Sequence, residues 1–190
     1  MRCLICGNFT FKTLCNPCFQ TITIQPKVRD LGNFKVYSFY DYQEIQFLLH
    51  AKYQIIGSKI YHLLSKKACL FLKQTLKSPL KAYGIGIDDK ISKQGYAHNA
   101  IFLKHFKKLG IIPLYHTLLA QDSVSYAGKD LKFRQNNPRN FYLMRNITHK
   151  KIILFDDLIT TGLTLKEAQK LLAEKGAEVL MAFVLSDAKY

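Results

Sequence analysis

Apolar residues recur along this chain at two periods, and the changes of period mark out its elements. From Gly57 to Leu76, apolar residues at Ile60, Leu63, Leu64, Ala68, Phe71, Leu72 and Leu76 fall three and four apart, which predicts an amphipathic helix. Cys69 lies inside that apolar stretch and reads as a packing residue. "GYAHNAIFLKHFKKLG" (95–110) predicts a second helix, with Ala100, Ile101 or Phe102, and Phe106 inward and Gly110 as its C-terminal cap. "LTLKEAQKLLAEKG" (163–176) predicts a third, ended by Gly176. Between these, "FKVYSFYDY" (34–42) alternates and is rich in aromatics, as a strand is. "KAYGIGIDD" (81–89), "IIPLY" (111–115), "FYLM" (141–144), "KIILF" (151–155) and "AEVLMAFVLS" (177–186) are short apolar runs and further strand candidates. Residues 117–140 read as a long polar loop carrying Lys129, Lys132, Arg134 and Arg139. Strands alternating with helices predict an α/β fold, a mainly parallel sheet flanked by helices on both faces.

Composition narrows this picture. The 190 residues, 48% of them hydrophobic, suffice for one α/β domain and a small appendage. Lys plus Arg number 28 against 13 Asp plus Glu, a formal charge of +15. Residues 1–81 hold twelve of the cations and only Asp30, Asp41 and Glu44 as acids. Such an imbalance favours polyanionic partners: nucleic acid, small phosphates or anionic lipid surfaces. No secretory signal is visible, since Cys3 and Cys6 stand where its basic and apolar regions would lie. No apolar run approaches the ~20 residues of a transmembrane helix, so a cytoplasmic protein is expected.

The first 25 residues form a unit of their own. Cys3-x2-Cys6 and Cys15-x2-Cys18 flank eight residues, "GNFTFKTL", in which Gly7 and Asn8 can turn a short β-ribbon. Two such knuckles can aim four thiolates at one tetrahedral Zn²⁺. The absence of an export signal disfavours disulfides. No histidine precedes His50, so the site is expected to be all-thiolate and closed, hence structural. The expected division is a zinc ribbon at 1–25 and an α/β domain at 26–190.

The densest chemistry is "IILFDDLITTGLT" (152–164): a buried run, two adjacent carboxylates, then hydroxyls around a glycine. A strand, a tight loop and a helix place Asp156 and Asp157 at a strand's carboxyl end, where open parallel sheets bind ligands. The amides opening the helix attract phosphate, Gly162 allows close backbone approach, and Thr160, Thr161 and Thr164 add donors. Carboxylates suit a vicinal diol. Phosphate and diol together describe a ribose 5-phosphate. The competing reading, a threonine cap beside solvated aspartates, accounts for neither the second acid nor the glycine.

This stretch resembles, at all thirteen positions, the PRPP-binding signature of the type I phosphoribosyltransferases. The paired "CxxC" knuckles, "QGYAHNA", "FRQNNPRNF" and "GAEVLMAFVLS" resemble the ComF family of competence proteins over essentially the whole chain. The chain departs from that family at Gln94, Tyr96, Ala97 and His98, and in "GIGIDD" where the family reads "PVP". The resemblance implies that Asp156 and Asp157 hold the ribose hydroxyls and that Thr160, Thr161, Gly162, Leu163 and Thr164 hold the 5-phosphate. Asp88, Asp89 and Arg134 would serve pyrophosphate and Mg²⁺. It implies a factor handling single-stranded DNA in natural transformation; among the excess cations, Arg2, Lys12, Lys27 and Arg29, nearest the ribbon in sequence, are the expected nucleic-acid contacts. Partners would be other DNA-uptake proteins, helicase-like or recombination-mediating, with room for peripheral association at the inner face of the cytoplasmic membrane. A working transferase on an unidentified acceptor, and a PRPP-sensing regulator without chemistry, stand as alternatives. His98, on a helix rim, reads as a boundary histidine.

Overall fold

The computed structural model describes residues 1–121 and 131–189. Its elements are α1 (Asn16–Thr21), β1 (Lys27–Asp30), β2 (Lys35–Asp41), α2 (Tyr42–Leu49), α3 (Gly57–Thr75), β3 (Ala82–Gly86), α4 (His98–Phe106), β4 (Ile111–Pro113), β5 (Leu118–Ala120), α5 (Leu131–Asn136), β6 (Phe141–Leu143), β7 (Lys151–Ile159), α6 (Leu163–Glu174) and β8 (Glu178–Asp187). Six strands form one sheet in the order β1-β2-β8-β7-β3-β4. Only the β1–β2 pair is antiparallel. The expected mainly parallel α/β architecture is what the chain adopts.

Period-2 alternation along β7 sends Ile153 and Phe155 to one face and Ile152 and Leu154 to the other, and all four are buried. The first face packs α2, α3 and α4 over a nest of rings in which Phe39, Phe102, Phe106, Phe155 and Phe183 meet at centroid distances of 5.1–6.2 Å. The second face packs α6, through Leu165, Ala168 and Leu172, and the small β5–β6 hairpin. Cys69 is buried and donates to the His105 carbonyl, a packing role as expected.

Several elements differ from expectation. β7 does not stop at Phe155 but runs on through the acid pair, because β8 continues to Asp187 and offers it backbone partners. The 117–140 stretch is no plain loop: Leu118–Ala120 pairs with Phe141–Leu143, and α5 lies between. "FYLM" thus belongs to that hairpin and not to the main sheet. The 95–110 helix starts only at His98 and finishes as a 3₁₀ turn (Lys107–Leu109), with Gly110 at φ +86 capping it. In the ribbon, a single antiparallel bridge joins Arg2 to Phe9, and α1 follows the second knuckle. Leu14 and Ile22 are buried in the same core as α3, so the ribbon is docked on the α/β body.

Candidate functional site

Helix α4 connects β3 to β4 on one side of the sheet, and α6 connects β7 to β8 on the other. The crevice between β3 and β7 is therefore where strand order reverses, the place where open α/β sheets receive ligands. β3 pairs with β7 only as far as Gly86 and Phe155, with Ile87 N–H still donating to the Phe155 carbonyl. Asp88, at φ +46, then turns the chain away. Asp156 and Asp157 come next on β7, so they are open on that side and held by β8 on the other.

The two carboxylates have different surroundings. Asp157 is buried; its Oδ2 accepts from Lys52 Nζ at 2.8 Å and from the Tyr61 hydroxyl at 2.7 Å, with His98 Nε2 at 3.9 Å. Asp156 Oδ1 accepts from Asn99 Nδ2 at 3.1 Å and from the Asp157 amide at 2.9 Å. Burial would raise the pKa of Asp157, but Lys52 and His98 outweigh it and hold that carboxyl well below the usual range. Burial and the neighbouring Asp157 charge push Asp156 up, to about 7. Burial works against the charge on Lys52 too, yet Asp157 keeps it an ammonium with a raised pKa. His98 is lowered, chiefly by burial. His98 thus stands inside the site, beside the Tyr61 ring at 5.4 Å.

The loop after β7 turns on a glycine and opens a helix. Gly162 has φ +83, a left-handed conformation that demands glycine, whereas the space beside it is closed only by the end of the Leu31 side chain, Cδ2 at 2.9 Å. No side chain caps α6; Leu163 N–H makes only a long contact, 3.4 Å, to Thr161 Oγ1. Such amides at the positive end of a twelve-residue helix suit a phosphate. The loop is braced from outside. Arg29 on β1 donates to the Thr160 carbonyl and pairs with Asp187 at the end of β8. This corrects the reading of Arg29 as a nucleic-acid contact: at 9% exposure and with both ends of its guanidinium engaged, it is a strut.

Across the crevice, Asp88 Oδ1 accepts from the Ala120 amide at 2.9 Å and Asp89 Oδ2 from the His116 amide at 2.8 Å. Arg139 Nη1 and Lys90 Nζ approach Asp88 at 3.6 and 3.8 Å. Two cations thus stand on Asp88, while Asp89, whose pKa is raised by burial, keeps one buried oxygen without a hydrogen-bond partner. The side chain of Arg134 lies outside the described residues, as does Lys129.

The ribbon brings Cys3, Cys6, Cys15 and Cys18 together with all four Sγ within 4.8 Å of one another. Cys6 and Cys15 Sγ are 3.8 Å apart, matching the edge of a tetrahedron built on Zn–S bonds of ~2.3 Å. The cluster could hold a zinc ion. Of the cations near it, Arg2 and Lys12 are exposed, while Lys27 pairs with Asp41 at 3.1 Å. Phe9 and Phe11, 76% and 91% exposed, stack edge to face on the ribbon's surface. A groove of about 690 Å³ between ribbon and α3 is lined by Phe11, Lys12, Phe19, Lys59 and His62. Among the described residues, no helix is long and apolar enough to cross a membrane.

Lys52, Tyr61 and Asn99 complete the acid site, and no local pattern announces the first two. Lys52 and Tyr61 lie 105 and 96 positions from Asp157. The one available signal was "QGYAHNA", whose departures from the family pattern include His98.

No protein-family model matches the sequence, and no curated protein matches it. Among solved structures, it is similar to adenine phosphoribosyltransferase from Saccharomyces cerevisiae, solved with an imino-altritol bisphosphate and adenine. That pair shares 15% identity and a TM-score of 0.45, over 92% of this chain and 90% of that one. It is also similar to a hypoxanthine-guanine phosphoribosyltransferase from Bacillus anthracis (18%, 0.42, 67% and 68%). A third is the allosteric regulatory enzyme of purine biosynthesis, at 19% identity and TM-score 0.44 over 68% of this chain. The chain spans about a quarter of that enzyme's length, 26%. At these identities the likeness says nothing of activity.

Proposed function

We propose that the carboxyl end of the sheet binds PRPP, in a ComF-type factor that handles single-stranded DNA. One observation carries the reading. A paired carboxylate on the central strand β7 is followed directly by a glycine-dependent, uncapped helix N-terminus. Asp156 and Asp157 would accept from the ribose hydroxyls, and Thr160 to Thr164 would meet the 5-phosphate. Arg139, beside Asp88, would face the pyrophosphate. Mg²⁺, entering with the pyrophosphate, would neutralise its charge. The crevice is a binding site first; transfer to an acceptor is a separate property.

The test is calorimetric titration with PRPP in Mg²⁺. Replacing Asp156 and Asp157 together by Asn should weaken binding by at least ~2 kcal/mol, since two hydrogen bonds to charged groups are lost. Equal affinity in the variant would refute the site. Pyrophosphate release on adding candidate acceptors would identify a transferase.

A further inference from the structure

We infer that Lys52 serves the acid pair as a built-in counter-cation, so that the ribose end of the ligand is bound without a divalent metal. The inference rests on reading the crevice as a phosphosugar site and names what compensates its charge.

His98, Asp156 and Asp157 lie close enough to share a cation, their ligand atoms within 4.8 Å of one another. A cation already stands there: the Lys52 ammonium, 2.8 Å from Asp157 Oδ2. An ammonium has three N–H donors. One meets the carboxylate, and the others can donate to ribose hydroxyl oxygens while those hydroxyls donate to the carboxylates. A divalent ion on the same oxygen would stand beside a like charge at a carboxylate whose side chain is only 7% exposed, where repulsion is poorly screened. Lys52 and a metal are therefore alternatives.

The lysine is positioned by the fold. It sits on the 3₁₀ turn His50–Tyr53, between α2 and α3. The Tyr96 hydroxyl lies 3.0 Å from the Lys52 carbonyl, 3.3 Å from that of Ala51 and 3.2 Å from that of Gln54, and its one proton can serve any of them. Gln94 Nε2 donates to the Tyr53 carbonyl at 3.0 Å. Gly57 lets Tyr96 in, because a Cβ there would fall 2.1 Å from the Tyr96 hydroxyl oxygen. The segment that clamps the lysine turn, Gln94–Asn99, also delivers His98 and Asn99 to the acids. Tyr61, donating to the same Asp157 oxygen, completes its coordination by protein groups.

Ribose 5-phosphate is the probe, because it carries the diol and the phosphate but no metal-chelating pyrophosphate. Its affinity for the wild-type protein should be the same in EDTA and in millimolar Mg²⁺. Lys52→Met should bind at least tenfold more weakly in EDTA and regain affinity when Mg²⁺ is added, whereas Lys52→Arg should stay metal-independent. Thermal melting of both variants checks that they fold; the wild-type comparison stands even where a variant does not. Binding by the wild type that requires Mg²⁺ would overturn the inference and leave the phosphosugar reading in place. So would undiminished or tighter binding by Lys52→Met in EDTA, which would make the ammonium a spectator or a plug. No binding of ribose 5-phosphate under either condition would remove both.

Discussion

Asp156 and Asp157 are adjacent in sequence and their carboxylates lie in one cluster, yet their partners differ: Lys52 and Tyr61 hold Asp157, and Asn99 holds Asp156. Asp157 is charged and paired; Asp156, pushed up to about 7 by burial and by its neighbour's charge, exchanges a proton near neutrality. Because its folded value lies above the unfolded one, ionising it costs stability. That contribution falls as pH rises from about 4 to about 7. Ligand binding has the opposite sign, since a ribose hydroxyl donates best to the ionised acid. Affinity for ribose 5-phosphate should climb from about pH 6 to about pH 8. The ligand's phosphate also ionises near pH 6, so the comparison is with Asp156→Asn, whose profile should flatten above about pH 6.5. Calorimetry at matched pH showing identical slopes would rule out Asp156 as the titrating group. At this scale the acids and Gly162 were legible, because their chemistry is packed into thirteen consecutive letters. Lys52 and Tyr61 were not, because only the tertiary fold brings residues so far apart in sequence onto one carboxylate oxygen. Arg29 was read from its charge alone, and its partner Asp187 lies 158 positions away.

Helices α3 and α6 were readable because each has one apolar face repeated over several turns. β1 and the β5–β6 hairpin are three or four residues long, too short for a period to show. The ribbon is an extreme case of local legibility, four cysteines at knuckle spacing with almost no other structure. A unit so small would depend on a metal held by its four cysteines. It is nonetheless tied to the body: Lys67 on α3 donates to the Phe19 carbonyl at 3.1 Å and to that of Ile22. Purified protein should contain about one zinc per chain, and Cys15→Ser with Cys18→Ser should contain almost none. Elemental analysis decides this, and unchanged zinc in the double variant would place the metal elsewhere.

For the molecule as a whole, the proposed handling of single-stranded DNA would give the +15 charge its use. Exposed Phe9 and Phe11 beside Arg2 and Lys12 supply what an unpaired strand needs: ring faces for bases and cations for phosphates. Fluorescence anisotropy with labelled single-stranded oligonucleotides should show sequence-tolerant binding that weakens steeply with salt. Phe11→Ala should cost about 1–3 kcal/mol and leave the salt slope unchanged, since it removes stacking but no charge. Affinity indifferent to salt would leave the charge unexplained.

The strand order has a consequence of another kind. β8, the last of the six to be synthesised, lies in the middle of the sheet, between β2 and β7. A nascent chain halted before Glu178 can pair β3 with β4 and β7, and β1 with β2, but no strand pairing joins the two halves. Emergence from the ribosome is therefore a waiting period in which two bare strand edges face each other across a missing centre, the edges most prone to wrong pairing. The sheet is sealed from the inside by its last strand, so the interval before β8 emerges is the one in which the cell's chaperones have most to guard.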